Sequence, residues 1–323
     1  MSMAEPLLKI EGLSVAFGDV AVVDALDLAI APGESLGVVG ESGSGKSMTA
    51  LAVMGLLPEG ARITGTICFD GQVLDDARRE ALRGTRIAMV FQEPMTSLNP
   101  VLTVGEQIAE TLRYHQQLDR RRARARAVEL LGLVEIPDAA RRLDAYPHQL
   151  SGGQRQRVMI AIALACNPSL LIADEPTTAL DVTVQAQLLD LLNDLRRETG
   201  MAMLLITHNM GVIAEFADRV VVMYSGRVAE EAPVETLFDA PRHPYTQGLL
   251  GATPTLAQTE SRLRTIPGAL PDPASPPPGC RFAPRCSFAD AECSSARPAE
   301  IALAAGHRTA CRRTDATMNW QVA

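Results

Sequence analysis

"GESGSGKS", residues 40–47, decides the reading of this 323-residue chain. It fits G-x-x-x-x-G-K-[ST], follows the apolar run "SLGVV", and leads into "KSMTALAVMGLLP", whose apolar positions recur every three to four residues up to Pro58. A strand, a glycine-rich turn and a helix form the context in which this spacing cradles phosphate. Gly40 and Gly45 let the backbone curl so that successive N–H groups face an anion, and the helix N-terminus adds partial positive charge. Lys46 is placed to reach β- and γ-phosphates, and the Ser47 hydroxyl to ligate magnesium.

A second element, "LLIADEP" at 170–176, is an apolar strand ending in two carboxylates. Two such acids can do no more than cap a helix. With a phosphate loop upstream, the spacing instead assigns Asp174 to magnesium, a hard cation that takes oxygen ligands, and leaves Glu175 to polarise the attacking water.

The bulk numbers agree with a globular chain: 47% apolar and 21% charged residues. A formal net charge of −8 gives no electrostatic invitation to nucleic acid or anionic lipid. The basic run "RRRARAR" at 120–126 therefore reads as a solvated helix face. "MSMAEPLLKIEGLSV" lacks the pattern of a secretory leader, which predicts a cytosolic chain. The most apolar stretch, 157–173, is broken by Asn167, Pro168 and Ser169, too soon to span a bilayer, so any membrane role must come through a partner.

Short alternating runs ("LLKIEGLSVAF", "VVDALDLAI") predict strands over the first 40 residues, and 104–166 reads as helical with breaks near 137 and 147. From Ser169 the order is strand, helix, strand, helix, strand, which implies a parallel sheet covered on both faces. The proline- and glycine-rich "IPGALPDPASPPPG" at 266–279 sets a boundary between a domain over 1–265 and an extension over 266–323. One copy of the catalytic unit is expected.

"LSGGQRQRV" at 150–158 narrows the class, because small residues let a helix N-terminus approach an anion, with Ser151 and the Gly152 and Gly153 amides as donors. With Gln92 after "RIAMVF", "TTALD" at 177–181 and "LLITHN" around His208, the chain resembles the nucleotide-binding subunit of an ABC transporter over about 240 residues. The resemblance implies an α/β fold: an ABC-type P-loop NTPase with an N-terminal antiparallel β subdomain, a RecA-like parallel-sheet core and a helical subdomain over about 93–160. It implies that two such domains stack head to tail, each ATP held by one phosphate loop and the partner's signature. Ser42, Gly43, Ser44 and Met48 then complete the nucleotide-binding loop, and Gln154 the signature. Gln92 senses the γ-phosphate, joins Ser47 and Asp174 at magnesium and couples to the membrane subunits. His208 contacts the γ-phosphate and orients water, Asp181 lies at the dimer contact, and Phe17 stacks on adenine or, as an aromatic commonly does, packs in the core.

"FQEPMTSLNPVLTVGEQIAE" at 91–110, "EPTTALDVTVQAQ" at 175–187, "HPYTQGLL" at 243–250 and "IPGALPDPASPPPGCRFAPRC" at 266–286 are similar to the ATPase subunits of dipeptide and oligopeptide importers, across essentially the whole chain. This implies ATP hydrolysis powering peptide import across a bacterial inner membrane, from a peripheral position on its cytoplasmic face. The implied partners are two transmembrane permeases, a second and different ATPase, and a periplasmic binding protein; no nucleic acid is expected. Relatives of this kind also carry nickel or glutathione. A soluble ABC-type ATPase acting on ribosomes or DNA shares the motifs but usually has two cassettes or a long coiled coil. "LSGGQ" and His208 argue against a nucleotide kinase or GTPase.

Cys280, Cys286, Cys293 and Cys311 are spaced C-x5-C-x6-C-x17-C. Four thiols in a reducing compartment suit zinc or an iron–sulfur cluster, or stay free; the long gaps disfavour zinc. The resemblance implies a 4Fe-4S cluster in a small irregular C-terminal extension, with Arg281, Arg285, Arg312 and Arg313 at hand to offset thiolate charge. Such a site would act as a structural clamp, because metal binding supplies folding energy to a segment poor in apolar residues. Cys68 and Cys166 sit in apolar runs and are expected in the core.

Overall fold

A computed structural model describes residues 5–92, 97–178, 180–253 and 265–314; residues 93–96 of the stretch after Gln92 and Ala179 of "TTALD" lie outside them. In chain order the elements begin β1 (Leu8–Phe17), β2 (Val20–Ile30), β3 (Ser35–Val39), α1 (Lys46–Met54), β4 (Ala61–Phe69), β5 (Gln72–Val73), α2 (Asp76–Leu82) and β6 (Ile87–Val90). They continue α3 (Val104–Gln116), α4 (Arg120–Leu133), α5 (Ala139–Arg142), α6 (Gly152–Leu164), β7 (Leu170–Asp174), α7 (Val182–Thr199), β8 (Ala202–Thr207) and α8 (Met210–Phe216). Last come β9 (Arg219–Tyr224), β10 (Arg227–Pro233), α9 (Val234–Asp239), α10 (Pro244–Gly251), α11 (Ala291–Ser295), β11 (Ile301–Ala304) and β12 (His307–Thr309). The chain divides into two units, one of residues 1–30, 35–74 and 206–323, the other of 31–34 and 75–205.

The first unit holds an antiparallel sheet in the order β2-β1-β4-β5. Its strands form because Leu8, Ile10, Leu13 and Val15 of β1 point to one buried face while polar neighbours point out. Gly18, at φ +57°, makes the two-residue turn between Phe17 and Val20. A second set of strands runs β11-β12-β10-β9-β3. β3 and β9 are parallel, but β9–β10, β10–β12 and β12–β11 are antiparallel. The sheet is therefore mixed where the sequence pattern predicts a parallel one, because β9 turns straight back through Ser225 and Gly226, both at positive φ, with no crossover helix. Tyr224, Tyr245 and Phe282 stack beside these strands with ring centroids 4.6 to 5.4 Å apart. Phe282 is 1% exposed, so the extension contributes an anchor to this core instead of relying on its own.

In the second unit β6 and β7 pair in parallel, joined through α3 to α6, as parallel strands require a long crossover. Thr103 and Glu106 form a reciprocal capping box that starts α3. Ile108 and Leu112 of α3, and Ala127, Leu130 and Leu131 of α4, are fully buried, while the arginines of 120–126 lie on the outer part of α4 as the charge pattern predicts. Cys68 and Cys166 are half-buried, nearer the surface than their apolar neighbours suggest. Among the described residues no helix is long and apolar enough to cross a membrane.

Candidate active site

The phosphate loop lies in the first unit, between the buried strand β3 and α1. Gly45 takes φ +100° as the N-cap of α1, and a Cβ there would sit 2.8 Å from the Val22 carbonyl oxygen, so only glycine fits. Ser44 N–H donates to the Glu41 carbonyl at 3.1 Å and Gly226 N–H to the Ser44 carbonyl at 2.9 Å, which holds the loop curled. Lys46 is 5% exposed, and its Nζ donates to the Gly40 and Glu41 carbonyls at 2.7 and 3.0 Å and to Ser44 Oγ at 3.4 Å. Ser42 and Gly43 are exposed at the loop's tip, Ser47 and Met48 half-buried in the first turn of α1. This curled backbone ahead of a nine-residue helix fits a polyphosphate, with Lys46 and the loop amides as its donors and Ser47 as a hydroxyl ligand for magnesium. The same unit carries His208, exposed just after β8 and before Asn209, whose side chain caps α8. Phe17 is half-buried at the end of β1.

The second unit carries the acids. β7 is buried throughout and ends in Asp174, 5% exposed; Glu175 follows at φ +48°, a left-handed conformation that a non-glycine residue holds only against strain. Glu175 Oε2 accepts from Gln92 Nε2 at 3.1 Å and from Thr178 Oγ1 at 2.9 Å. The structure thus brings Gln92 and Glu175 together, and adds Thr178, whose role no spacing rule reveals. Ser151 Oγ accepts from Gln154 N–H while Gln154 Oε1 accepts from Ser151 N–H, a capping box that fixes the start of α6. A Cβ on Gly153 would lie 2.7 Å from Val184 Cγ1, so this glycine answers to the packing of α6 on α7, whereas one on Gly152 would meet only Leu180 Cδ2 at 3.9 Å. Asp181 caps α7 by accepting from Val184 N–H at 2.9 Å.

Cys280, Cys286, Cys293 and Cys311, all half-buried, line one small cavity of about 20 Å³ with Phe282, Ala283, Phe288 and Ala289. Burial pushes the Cys286 thiol up to about 11 and that of Cys311 to about 12, and raises Cys280; neighbouring thiols add to each shift. Cys280, Cys286 and Cys311 keep their protons in such surroundings unless a cation compensates. The donor set suits a soft metal, although among the described residues no group of three or more Cys, His, Asp or Glu is placed to hold a single metal ion. The Arg313 N–H donates to Cys311 Sγ at 3.3 Å, but the guanidinium groups nearby make their bonds elsewhere than their sequence positions suggest. Arg281 donates to Asp24 and the Ser225 carbonyl, Arg285 to Glu41, Arg312 to Asp290 and Glu292, and Arg313 to Asp290, because each guanidinium finds a carboxylate within reach.

A curled phosphate loop heading α1, a strained acid ending β7 and a serine-capped "LSGGQ" helix define an ATP-binding cassette ATPase. The ABC transporter profile matches residues 23–178, and that of the oligopeptide/dipeptide transporter C-terminal region matches 229–293. Peptide import ATP-binding proteins of Brucella abortus and Brucella suis are each 54% identical over 314 residues, covering 95% of this chain and 94% of theirs. A solved dimeric ATP-binding cassette in a post-hydrolysis state with ADP and Pi is 32% identical, with a TM-score of 0.62 over 70% of this chain and 98% of that one. The cbiO1 protein of Clostridium perfringens, part of an ABC transporter complex, is 28% identical, with a TM-score of 0.63 over 73% of this chain and 91% of its own. The chain belongs to the peptide import ATP-binding family of ABC transporter ATPases.

Proposed function

We propose that this chain hydrolyses ATP to power the import of dipeptides or oligopeptides through a membrane complex. The observation that carries the reading is the pairing, on one chain, of the ABC transporter match at 23–178 with the oligopeptide/dipeptide transporter region at 229–293. Residues 1–265 form the nucleotide-binding domain and 266–323 its extension. Lys46 and the amides of residues 40–48 hold the phosphates, while Phe17 stacks on adenine. Ser47, Gln92 and Asp174 hold magnesium, which when bound neutralises phosphate charge. Glu175 polarises water, His208 orients it toward the γ-phosphate, and Ser151, Gly152, Gly153 and Gln154 grip the nucleotide of a partner ATPase, with Asp181 at that contact.

The partners are two permeases, a second ATPase of different sequence and, indirectly, a periplasmic binding protein, with this chain peripheral on the cytoplasmic face of the inner membrane. Reconstitution with its permeases in vesicles tests the reading: magnesium-ATP should drive accumulation of short peptides. Accumulation of nickel or glutathione but not peptides would move the assignment to that cargo.

The four cysteines hold a 4Fe-4S cluster that clamps the extension; their shared cavity supports this. Anaerobically purified protein should contain about four iron and four sulfide per chain. Zinc, or no metal, in that preparation rejects the cluster. An all-serine variant with unchanged thermal stability rejects the clamp.

A further inference from the structure

Arg285 stands next to Cys286 in sequence, but its side chain reaches the phosphate loop. Its Nη1 donates to both carboxylate oxygens of Glu41 at 3.0 Å and to Tyr224 Oη at 3.3 Å; Nε donates to the Pro267 carbonyl at 2.8 Å and Nη2 to that of Ile266 at 3.3 Å. Only 6% of the side chain is exposed. Glu41 is the second residue of the loop, and its other polar groups are also engaged. Its N–H donates to Tyr245 Oη at 2.9 Å, and its carbonyl accepts Lys46 Nζ at 3.0 Å and Ser44 N–H at 3.1 Å. A continuous path of bonds runs from the cysteine loop through Arg285 and Glu41 to the ammonium that meets the phosphates. Leu270 lies near the loop's tip, its Cδ1 4.0 Å from where a Cβ of Gly43 would sit.

We propose that Arg285 is a positioning residue for ATP binding: it fixes Glu41, and through the Glu41 carbonyl Lys46, so that the four-cysteine extension sets the nucleotide affinity of the phosphate loop. Only a guanidinium can serve a carboxylate, a phenol and two carbonyls at once, so lysine is a poor substitute here. Any rearrangement of residues 280–286 must move Arg285, and the free energy of that movement reappears in ATP affinity. Coupling of this kind is reciprocal, so bound nucleotide must steady the cysteine loop in return.

The inference rests on the ATPase reading, and equilibrium binding of a non-hydrolysable ATP analogue with magnesium to the full chain separates the two. A wild-type chain that does not bind rejects the ATPase reading itself. Given binding, Arg285→Ala and Glu41→Ala should each weaken it by about tenfold, the double variant by no more than either alone, and Arg285→Lys should recover only part of the loss. Nucleotide should slow amide exchange over residues 280–286 in the wild type and not in Glu41→Ala. If Arg285→Ala does not fold, Glu41→Ala decides, since it leaves the other bonds of Arg285 intact. Lower melting temperatures with affinities within about twofold of wild type, or additive losses in the double variant, overturn the proposal.

Discussion

Gln92 Nε2 donates to Glu175 Oε2 across 3.1 Å, and the same oxygen accepts from Thr178 Oγ1. A carboxylate held by two donors and by a left-handed backbone has little freedom to turn. Glu175→Gln removes the basic oxygen and should cut steady-state ATP hydrolysis at least about 100-fold while nucleotide still binds. Vigorous turnover by that variant would falsify the role given to Glu175. Thr178→Val, which loses the hydroxyl donor, should lower hydrolysis less than Glu175→Gln does.

The two signature glycines should respond differently to alanine. At Gly153 the new methyl meets Val184 Cγ1 at 2.7 Å, and such overpacking costs about 1–3 kcal/mol; at Gly152 the nearest atom is 3.9 Å away and helix propensity favours alanine. Denaturant unfolding should therefore find Gly153→Ala destabilised and Gly152→Ala neutral or stabilised. Equal effects would mean that α6 and α7 adjust freely.

Asp24 lies between two guanidinium groups, with Oδ2 2.6 Å from Arg227 Nη2 and 2.5 Å from Arg281 Nη2. Burial would raise this carboxyl, but the bonds and charges of Arg227 and Arg281 hold it below the ordinary range. Asp24→Ala leaves two neighbouring cations without their shared counter-charge and should destabilise the fold by about 3 kcal/mol, read from urea unfolding. Restoration of stability by a second change, Arg227→Met, would identify that repulsion as the cause.

His243 gives a pH dependence of defined sign. Burial lowers its imidazole from 6.5 to about 4, and Nδ1 accepts the Tyr245 N–H at 3.0 Å, a bond that a proton on Nδ1 would remove. Because the folded value is depressed, the unfolded chain takes up the proton first as pH falls. The contribution is complete above about pH 6.5 and is lost progressively between there and about pH 4, up to about 3 kcal/mol at 1.36 kcal/mol per pKa unit. His243→Asn can still cap α10 but does not titrate. Its unfolding free energy should fall less between pH 6.5 and 4.5 than that of the wild type; identical slopes would assign the acid sensitivity elsewhere.

The motifs were legible because each is local: a loop that must curl before a helix, an apolar strand ending in acids, a serine before two glycines. What escaped the sequence depends on partners far away in the chain. "RVAEEAP" does not read as a strand because Glu230 and Glu231 look solvent-facing. In β10 Glu230 is fully buried, accepting from His307 Nε2 and from the N–H groups of Arg242 and His243, while Glu231 pairs with Arg219 and Arg308. The arginines of the extension misled for the same reason: adjacency to cysteine says nothing about a carboxylate more than 200 positions earlier, where Arg281 and Arg285 are bonded.

β10 pairs with β12, the last strand among the described residues, through Glu230 with Thr309 and Glu231 with Arg308. During synthesis the ribosome must therefore finish the extension before this edge of β10 finds its neighbour. At roughly 5–20 residues per second the nascent protein spends seconds with an open strand edge and with Glu230 lacking His307. Arrest of translation just after β10 should leave a chain that chaperones hold and proteases cut, even though every residue of the phosphate loop and the acid pair has already been made.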